Sequence, residues 1–269
     1  MTPVWIDTDN ALGSPFGDID DAIALAAIFR SNYPVFAVSN VFGNTFESIS
    51  YTQTKILLKL MNIQVPHFTG AGHWWDRSSR ASQELAQVKT KIKILALGPL
   101  TNIAEALKIN PDLKNYIEEI IFVGTNYQYQ LPNWRFFDFN VFKDKTSAVE
   151  VLKSGLPITL IPCDQARKLR FSAAQVSQFS GPTGQFIYQN SKRWFRRAQI
   201  LKLQKSIPVW DLTAALYLLK PDEFQFKNAE FNLSPFNYVQ IKTSSNNTTL
   251  QTLSSYNLDV RNYAMKLLI

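Results

Sequence analysis

Short apolar runs alternate with helical segments along the first 162 residues of the chain. The runs have the length and composition of buried strands, and they are Val4–Ile6, Val35–Val41, Lys93–Leu97, Ile117–Val123 and Ile158–Pro162. The segments between them have helical patterns, and they are Ala22–Phe29, Thr52–Met61, Asn102–Ile109 and Ser147–Leu152. Largely apolar strands separated by helices predict an α/β fold with a mostly parallel central sheet and helices on both faces.

The second half of the chain continues with helices and ends in short alternating segments. The predicted helices are Ser172–Phe179, Gly184–Arg197 and Asp211–Leu219. The segments Glu230–Leu233, Tyr238–Lys242 and Thr248–Leu253 predict a small antiparallel β segment near the C-terminus, with Ser244–Asn247 at a hairpin tip. No linker or internal repeat interrupts the 269 residues, so we expect a single domain over residues 1–269.

Composition narrows the cellular setting. No apolar stretch approaches the roughly 18 residues that a membrane span needs, so no membrane partner is expected. The Asp-rich segment that begins at residue 7 argues against a signal peptide. The single Cys163 excludes an intrachain disulfide and is predicted to be a buried thiol in a reducing compartment. Together these features predict a cytoplasmic protein.

The densest basic stretch of the chain has two interpretations. Lys192–Arg197 mixes cations with Trp194 and Phe195, and such aromatics stack on the bases of nucleic acids in some proteins. The same pattern is more typical of one helix whose aromatics pack inward while the cations face water. We favour the second interpretation and expect no nucleic-acid partner.

Five carboxylates crowd into the first 21 residues of a chain whose formal net charge is +7. They follow one apolar run and precede another, and they are Asp7, Asp9, Asp18, Asp20 and Asp21. Burying such a cluster costs several kcal/mol per ion unless a counter-charge neutralises it, and a hard divalent cation takes oxygen ligands of this kind. The position between a buried strand and a helix favours a ligand site at the carboxyl end of a sheet. The alternative is a solvated acidic loop.

The Asp7-x-Asp9 motif with Asp20-Asp21-Ala22 at the first strand–helix junction resembles the nucleoside hydrolases, the inosine–uridine-preferring N-ribohydrolase family. Further motifs of that family follow in order at strand ends. They are Gly43-Asn44-Thr45, Gly98 through Ala104, Asn133-Trp134 followed by Asp138-Phe139-Asn140, and Trp210 through Ala214. The resemblance covers about residues 3–225.

The resemblance implies a Ca²⁺-dependent enzyme of purine salvage that hydrolyses the N-glycosidic bond of a ribonucleoside, and a homodimer or homotetramer. It implies that Asp9 is both a Ca²⁺ ligand and the general base, with Asp7 supporting the site from behind the ligands. The further ligands that it implies are Asp21, Asp211 and the backbone carbonyl of Leu97. The residues that it places on the ribose are Asp20, Asn44, Asn133, Asp138 and Asn140.

Three departures from the family pattern affect the expected pocket. Ten residues separate Asp9 from Asp20, more than the family usually has, and they add Asp18, which competes with Asp20 for the ribose role. Asp138 stands where the family usually has Glu, so its reach is shorter. The stretch between Ala71 and Lys93 is also short, which thins one wall of the pocket.

Trp210 stands where many family members carry a His that acts as leaving-group acid. A purine-specific branch carries Trp there, and stacking on the base helps a purine to leave, so Trp210 is a candidate catalytic and base-binding residue. The alternative for Trp210 is core packing. Trp74, Trp75 and Trp134 are candidates for a second stacking partner.

We expect different roles for the two histidines. His67 follows Pro66 at the end of an apolar stretch, which favours a structural role. His73 lies in a Gly-containing loop near the expected mouth of the pocket, where both a structural role and a substrate role are open.

Two other functions remain open from the sequence. The first is a non-catalytic member of the same fold that binds a ribosyl ligand, since the shortened wall could have removed activity. The second is a Mg²⁺-dependent phosphatase of the haloacid-dehalogenase type, which also places Asp-x-Asp after an N-terminal strand. Ala11 at the position where that family has Thr or Val, together with the Asp20-Asp21 pair, speaks against the phosphatase.

Overall fold

A computed structural model of the chain describes residues 1–15, 17–76, 78–125, 138–200, 206–233, 239–245 and 248–269. The strands are β1 (Val4–Thr8), β2 (Val35–Asn40), β3 (His67–Phe68), β4 (Ile92–Ala96), β5 (Ile117–Val123), β6 (Ile158–Ile161), β7 (Arg170–Ser172), β8 (Ser206–Pro208), β9 (Phe224–Leu233), β10 (Val239–Thr243) and β11 (Leu250–Tyr256). The helices are α1 (Asp20–Arg30), α2 (Glu47–Leu60), α3 (Arg80–Ala86), α4 (Thr101–Ile109), α5 (Phe139–Lys143), α6 (Lys145–Leu152), α7 (Cys163–Ala166), α8 (Ala173–Val176), α9 (Gly181–Ile200), α10 (Trp210–Leu219) and α11 (Val260–Leu268).

The central sheet runs in the order β10-β9-β11-β6-β5-β4-β1-β2-β3. Neighbouring strands from β11 to β3 are all parallel, and β9 is antiparallel to both β11 and β10. Within the described ranges, β7 and β8 form a separate antiparallel pair. This arrangement confirms the α/β fold with a mostly parallel sheet and an antiparallel segment near the C-terminus, and that segment is continuous with the main sheet.

Strand β1 lies at the point where the strand order reverses. The chain moves from β1 to β2 and β3 on one side and then returns to β4 on the other side. Open α/β sheets bind their ligands beyond the carboxyl ends of strands at such a reversal. The segments after β1, β2 and β4 are therefore the expected walls of a site.

The side chains of β1 alternate between two hydrophobic cores. Val4 and Ile6 pack into the core under α1, α10 and α11, whereas Trp5 packs into the core under α3, α4 and α6. Alternation along a strand places Asp7 on the Trp5 side and Thr8 on the Ile6 side. Helices cover both faces of the sheet, as the apolar strands predict.

The structure departs from the sequence-based elements mainly where they are short. The sequence does not predict β3, β7, β8, α3, α5, α7 or α11, and β9 begins at Phe224 rather than at Glu230. Most residues of β9 are at least partly exposed, so that strand lacks an apolar pattern. Part of the expected strand Tyr238–Lys242 and of the hairpin tip Ser244–Asn247 lies outside the described residues.

Cys163 begins α7 directly beyond the end of β6 and is half-buried as a residue. Burial raises the pKa of its thiol well above the usual range. Its backbone amide donates a 3.0 Å hydrogen bond to the carbonyl oxygen of Thr125, next to β5. The residue therefore lies at the same edge of the sheet as the acidic cluster.

The basic stretch forms part of α9, with its aromatics turned toward the core. Phe195 is buried, and Trp194 is half-buried against the core beneath α1. The guanidinium of Arg197 lies 5.8 Å from the centre of the Trp194 ring, whereas Lys192 and Arg193 are exposed. Among the described residues, no helix is both long and apolar enough to cross a membrane.

Candidate functional site

Asp9 occupies the reversal point of the sheet, one residue after the end of β1. Its side chain is fully buried between two glycines, one beyond β2 and one beyond β4. A Cβ atom on Gly43 would lie 1.9 Å from the Oδ2 atom of Asp9, and one on Gly98 would lie 2.6 Å from Val41 Cγ1 and 3.1 Å from the Cβ atom of Asp9. Only glycine fits this closely on both sides, so the Gly43-Asn44 and Gly98-Pro99 motifs form the walls around the carboxylate.

Helix α1 presents two carboxylates to the same space from its first turn. Asp20 and Asp21 are buried, and the hydroxyl of Thr8 donates a hydrogen bond to Asp21 Oδ1. The N-terminus of a helix carries a partial positive charge and therefore favours negative side chains. Alternation on β1 turns Thr8 toward α1, which explains why the residue between Asp7 and Asp9 contacts Asp21.

Helix α10 brings a third buried carboxylate from the far end of the chain. Asp211 lies in the first turn of α10, and its backbone amide donates a 3.3 Å hydrogen bond to Asp20 Oδ2. Trp210 begins α10 and is half-buried against the core. The N-termini of α1 and α10 thus meet at one cluster of acidic side chains.

Several carboxylate oxygens of this cluster are buried without a hydrogen-bond partner among the described residues. They are the Oδ1 atoms of Asp9, Asp18 and Asp20 and the Oδ2 atom of Asp21. A buried oxygen without a partner costs about 1–3 kcal/mol, and more when it is charged. One oxygen from each of Asp18, Asp20 and Asp21 lies within 4.8 Å of the others. An oxygen-only donor set of this kind fits a hard divalent cation.

Burial and mutual repulsion raise the pKa values of these groups. Burial raises the pKa of Asp21 to about 7, with the charge of Asp20 as the next cause. The pKa of Asp9 is raised well above its usual range by burial and then by the charge of Asp21. Burial, followed by the charges of Asp20 and Asp21, does the same to the pKa of Asp211. A nearby cation reverses this trend by favouring the ionised forms.

Asp7 lies behind Asp9, on the opposite face of the strand from Thr8. Its Oδ1 atom accepts hydrogen bonds from Ser39 Oγ at 2.5 Å and from Asn102 Nδ2 at 2.9 Å. Ser39 in turn accepts a 2.7 Å hydrogen bond from the indole of Trp5. Burial raises the pKa of Asp7 to about 7. Asp7 therefore ties the ends of β1 and β2 to α4.

The carbonyl oxygen of Leu97 is in contact with Asn140. Asn140 Nδ2 donates 2.7 Å and 2.9 Å hydrogen bonds to the carbonyl oxygens of Leu97 and Val123, so it joins the ends of β4 and β5. A carbonyl oxygen has a second lone pair, and Leu97 retains that acceptor capacity. Leu97 directly follows β4, and it precedes Gly98, which packs against Asp9.

Asp138 caps the short helix α5. Its Oδ2 atom accepts a 2.6 Å hydrogen bond from the Thr125 amide, and its Oδ1 atom accepts a 3.0 Å hydrogen bond from the Asn140 amide. Burial raises the pKa of Asp138 to about 6. Asn133 and Trp134 lie outside the described residues.

Asn44 connects Asp9 to Asp18. Its backbone amide donates a 2.7 Å hydrogen bond to Asp9 Oδ2, and its side-chain amide donates a 3.1 Å hydrogen bond to Asp18 Oδ2. Asn44 therefore lies at the acidic cluster. The resemblance predicts that it binds the ribose.

The aromatic loop beyond β3 is exposed at the edge of this region. Trp74 and Trp75 are 50% and 55% exposed, and the His73 ring stacks on Trp75 with 4.5 Å between ring centres. The loop is anchored beside the site, since Asn102 Oδ1 accepts a 2.9 Å hydrogen bond from the Ala71 amide. Both indoles thus have free surface.

His67 has the structural environment that the sequence favours. Its Nε2 atom lies 2.6 Å from Asn40 Oδ1, and its ring stacks on Tyr51 with 4.2 Å between ring centres. Burial lowers the pKa of His67 to about 4.

Three residues that hold the acidic side chains have no role predicted from the sequence. They are Thr8, Ser39 and Asn102, which bond to Asp21 or Asp7. Thr8 could have been found from strand alternation, because it points to the α1 side. Asn102 lies within the Gly98–Ala104 motif, but its partner Asp7 follows only from tertiary packing, and Ser39 carries no local signal.

Comparison with known proteins gives consistent similarities. The family model described as inosine-uridine preferring nucleoside hydrolase matches residues 4–264. The non-specific ribonucleoside hydrolase RihC of Escherichia coli (strain K12) is 24% identical over 261 residues, which cover 84% of this chain and 81% of that protein.

Solved structures of related enzymes have the same fold. The plant nucleoside hydrolase PpNRh1 superposes with a TM-score of 0.81 at 17% identity, over 99% of this chain and 98% of that one. The purine-preferring ribonucleoside hydrolase from Gardnerella vaginalis superposes with a TM-score of 0.82 at 14% identity, over 99% and 97% of the two chains. Because these identities are below 25%, the superpositions show only that the fold is shared.

Proposed function

Because this chain belongs to the inosine–uridine preferring nucleoside hydrolase family, whose members hydrolyse the N-glycosidic bonds of ribonucleosides, we propose that it does so with bound Ca²⁺ and prefers purine substrates. The observation that carries the proposal is the buried cluster of carboxylates whose oxygens lack partners. It lies at the reversal point of the sheet, where α/β folds bind ligands.

We propose that Ca²⁺ binds to Asp9, Asp21, Asp211 and the carbonyl oxygen of Leu97. The first three are buried carboxylates, and two of them have an oxygen without a hydrogen-bond partner. When bound, the cation would lower the pKa of a water molecule at the site. Its positive charge also offsets the repulsion that raises the pKa values of these carboxylates.

Asp9 is the proposed general base. Its Oδ2 atom is fixed by the Asn44 amide at 2.7 Å, and its Oδ1 atom has no partner among the described residues. One oxygen therefore sets the orientation of the carboxylate, and the other is available to accept a proton from the attacking water. The support of Asp7 from behind keeps the end of β1 in place.

The ribose is proposed to lie between α1 and the segment beyond β5. Asp20 and Asn44 would hold its hydroxyls from the α1 side, while Asn133, Asp138 and Asn140 would bind from the other side. Breaking an N-glycosidic bond places positive charge on the ribosyl group in the transition state. The concentration of negative side chains at this site stabilises that charge.

Trp210 is proposed to stack on the nucleobase. It is half-buried at the start of α10, directly before Asp211, so part of its ring is outside the core. Base stacking on an aromatic side chain contributes about 1–3 kcal/mol, and a purine offers two rings for it. The similarity to a non-specific hydrolase makes activity on pyrimidines the main rival outcome.

The direct test is release of free ribose from a panel of five ribonucleosides, with Ca²⁺ and with excess chelator. We expect ribose from inosine, adenosine and guanosine in the presence of Ca²⁺, and little without it. The Asp9→Asn variant is the matched control for contaminating activity. Tight ribonucleoside binding without ribose release would favour the non-catalytic alternative, which the short wall between Ala71 and Lys93 keeps open.

We also propose a cellular location and an oligomeric state for the enzyme. The lone Cys163 leaves no intrachain disulfide to depend on an oxidising compartment, which supports a cytoplasmic location. We propose a homodimer or a homotetramer, which light scattering of the purified chain would test.

A further inference from the structure

The loop between Asp9 and α1 is closely packed at its ends. Ala11 and Leu12 are fully buried, and a Cβ atom on Gly17 would lie 2.3 Å from the carbonyl oxygen of Ala11. Ser14 Oγ donates a 3.2 Å hydrogen bond to Thr45 Oγ1, which ties the loop to the segment beyond β2. These contacts give the residue after Gly17 a defined position beside the acidic cluster.

That residue is Asp18, and its two carboxylate oxygens have different surroundings. Oδ2 accepts the 3.1 Å hydrogen bond from Asn44 Nδ2. Oδ1 is buried and has no hydrogen-bond partner among the described residues. One Asp18 oxygen lies within 4.8 Å of oxygens of both Asp20 and Asp21. No salt bridge within the described part of the chain neutralises Asp18.

Two further carboxylates near this space are fully buried. Asp9, beyond β1, is 0% exposed and its Oδ1 atom has no partner in the described structure. Asp21, in α1, is also 0% exposed, and its Oδ2 atom likewise has no hydrogen-bond partner among the described residues. Unpaired oxygens from two elements, added to that of the loop, indicate that a ligand with positive charge completes the cluster.

We infer that Asp18 is an additional ligand of the proposed cation site, supplied by the loop of residues 10–19, and that it makes the site selective for Ca²⁺ over Mg²⁺. The inference rests on the proposed function, because it concerns the same site. Asp18 Oδ1 contacts the cation, while Oδ2 keeps the carboxylate in place through Asn44.

The chemistry of the two cations supports this selectivity. Ca²⁺ takes six to eight oxygen ligands in flexible geometry, whereas Mg²⁺ demands near-octahedral geometry and gives up its water reluctantly. An added carboxylate in a crowded cluster therefore favours the larger ion. Removing the charge of Asp18 should weaken Ca²⁺ binding more than Mg²⁺ binding.

The test is isothermal titration of the metal-free full chain with Ca²⁺ and, separately, with Mg²⁺. It compares the wild type with Asp18→Asn and with the charge-matched control Asp112→Asn, at an exposed position distant in sequence from the cluster. We expect Asp18→Asn to lose at least about 10-fold to 100-fold in Ca²⁺ affinity, because removing a direct ligand should cost no less than removing a group that only orients one. The ratio of Ca²⁺ to Mg²⁺ affinity should fall, and Asp112→Asn should match the wild type.

Two results would overturn the inference. One is an unchanged Ca²⁺ affinity in Asp18→Asn. If the KM for a ribonucleoside rises in that variant while the Ca²⁺ affinity stays the same, Asp18 acts only through Asn44. The other is a wild-type chain that binds no Ca²⁺. Ribose release tests the proposed function separately. If the Ca²⁺ affinity depends on Asp18 but no ribose is released, the inference about Asp18 stands and the proposed hydrolase activity is wrong.

Discussion

The backbone amide of Asn44 donates a 2.7 Å hydrogen bond to Asp9 Oδ2, which joins the segment beyond β2 to the residue beyond β1. The neighbouring Gly43 leaves no space for a side chain on that side of the carboxylate. Asp9 therefore has a single orientation, with Oδ1 directed away from Asn44.

Asp9→Asn should lower kcat by about 10²-fold to 10⁴-fold, the typical contribution of a general base. The amide keeps the shape of the carboxylate and its contact with Asn44, but it cannot accept a proton from water. The measurement is the rate of ribose release from inosine at saturating Ca²⁺, with Ca²⁺ binding checked by titration. Near-normal turnover with Ca²⁺ still bound would exclude Asp9 as the base.

Removal of Ca²⁺ should lower the melting temperature, and its return should restore it. A ligand that binds only the folded state at 100 times its Kd stabilises that state by about 2.7 kcal/mol. Differential scanning fluorimetry with chelator and then with excess Ca²⁺ measures the effect. Asp211→Asn provides the control, because a variant with a damaged site should respond less; identical melting curves with and without chelator would count against the site.

Trp210→Ala should reduce kcat for inosine more than it weakens substrate binding, if stacking helps the base to leave. The wild type should have a higher kcat/KM for purine than for pyrimidine ribonucleosides. Values for inosine, adenosine, guanosine, uridine and cytidine on both proteins test this. Trp75→Ala is a useful comparison, because that indole is exposed beside the site. Equal efficiency on uridine and inosine would return Trp210 to core packing.

His67 should make the folded state less stable as the pH falls from about 6.5 to about 4. Burial holds the pKa of His67 near 4 in the folded state, whereas an unfolded His has a pKa near 6.5. The unfolded chain therefore binds more protons in this window, and the free energy of unfolding rises with pH across it. Urea unfolding of wild type and His67→Gln at several pH values gives the difference. The same substitution at the exposed His73 controls for the loss of an imidazole elsewhere in the chain.

Tyr217→Phe should lower the free energy of unfolding by about 1.5 kcal/mol, the lower range for a hydrogen bond to a charged group. Tyr217 on α10 donates a 2.8 Å hydrogen bond to Glu119 Oε1 on β5, and Lys93 Nζ lies 2.8 Å from Glu119 Oε2. The control is Tyr33→Phe, whose hydroxyl donates at 3.1 Å to the neutral carbonyl of Thr2 and should cost less. An equal loss in both variants would contradict the role of the Glu119 charge.

Long apolar segments made most of the fold predictable from the sequence. β5 was predicted with its observed bounds, and α10 to within one residue, because each buries a continuous apolar surface. β3 has only two residues, and its pairing depends on the neighbouring β2. Elements of that size have no periodicity to detect, since their partners rather than their own residues define them.

The site was predictable only in part for a different reason. Asp9, Asp20 and Asp21 are close in sequence to a strand end and a helix start, so local patterns place them together. The position of Asp211 came from the family resemblance, because nothing local links it to residues 190 positions earlier. The hydrogen bond from Asn102 to Asp7 spans 95 positions and follows from the packing of α4 on the sheet.

The contact between Asp211 and Asp20 joins positions 191 residues apart. During translation, β1 and α1 leave the ribosome long before α10 is made. Asp20 therefore cannot make this contact until most of the chain has been synthesised. The proposed cation site includes Asp211, so it is complete only after α10 has been made. A truncated product that ends before α10 would carry the carboxylates of α1 without their partner helix.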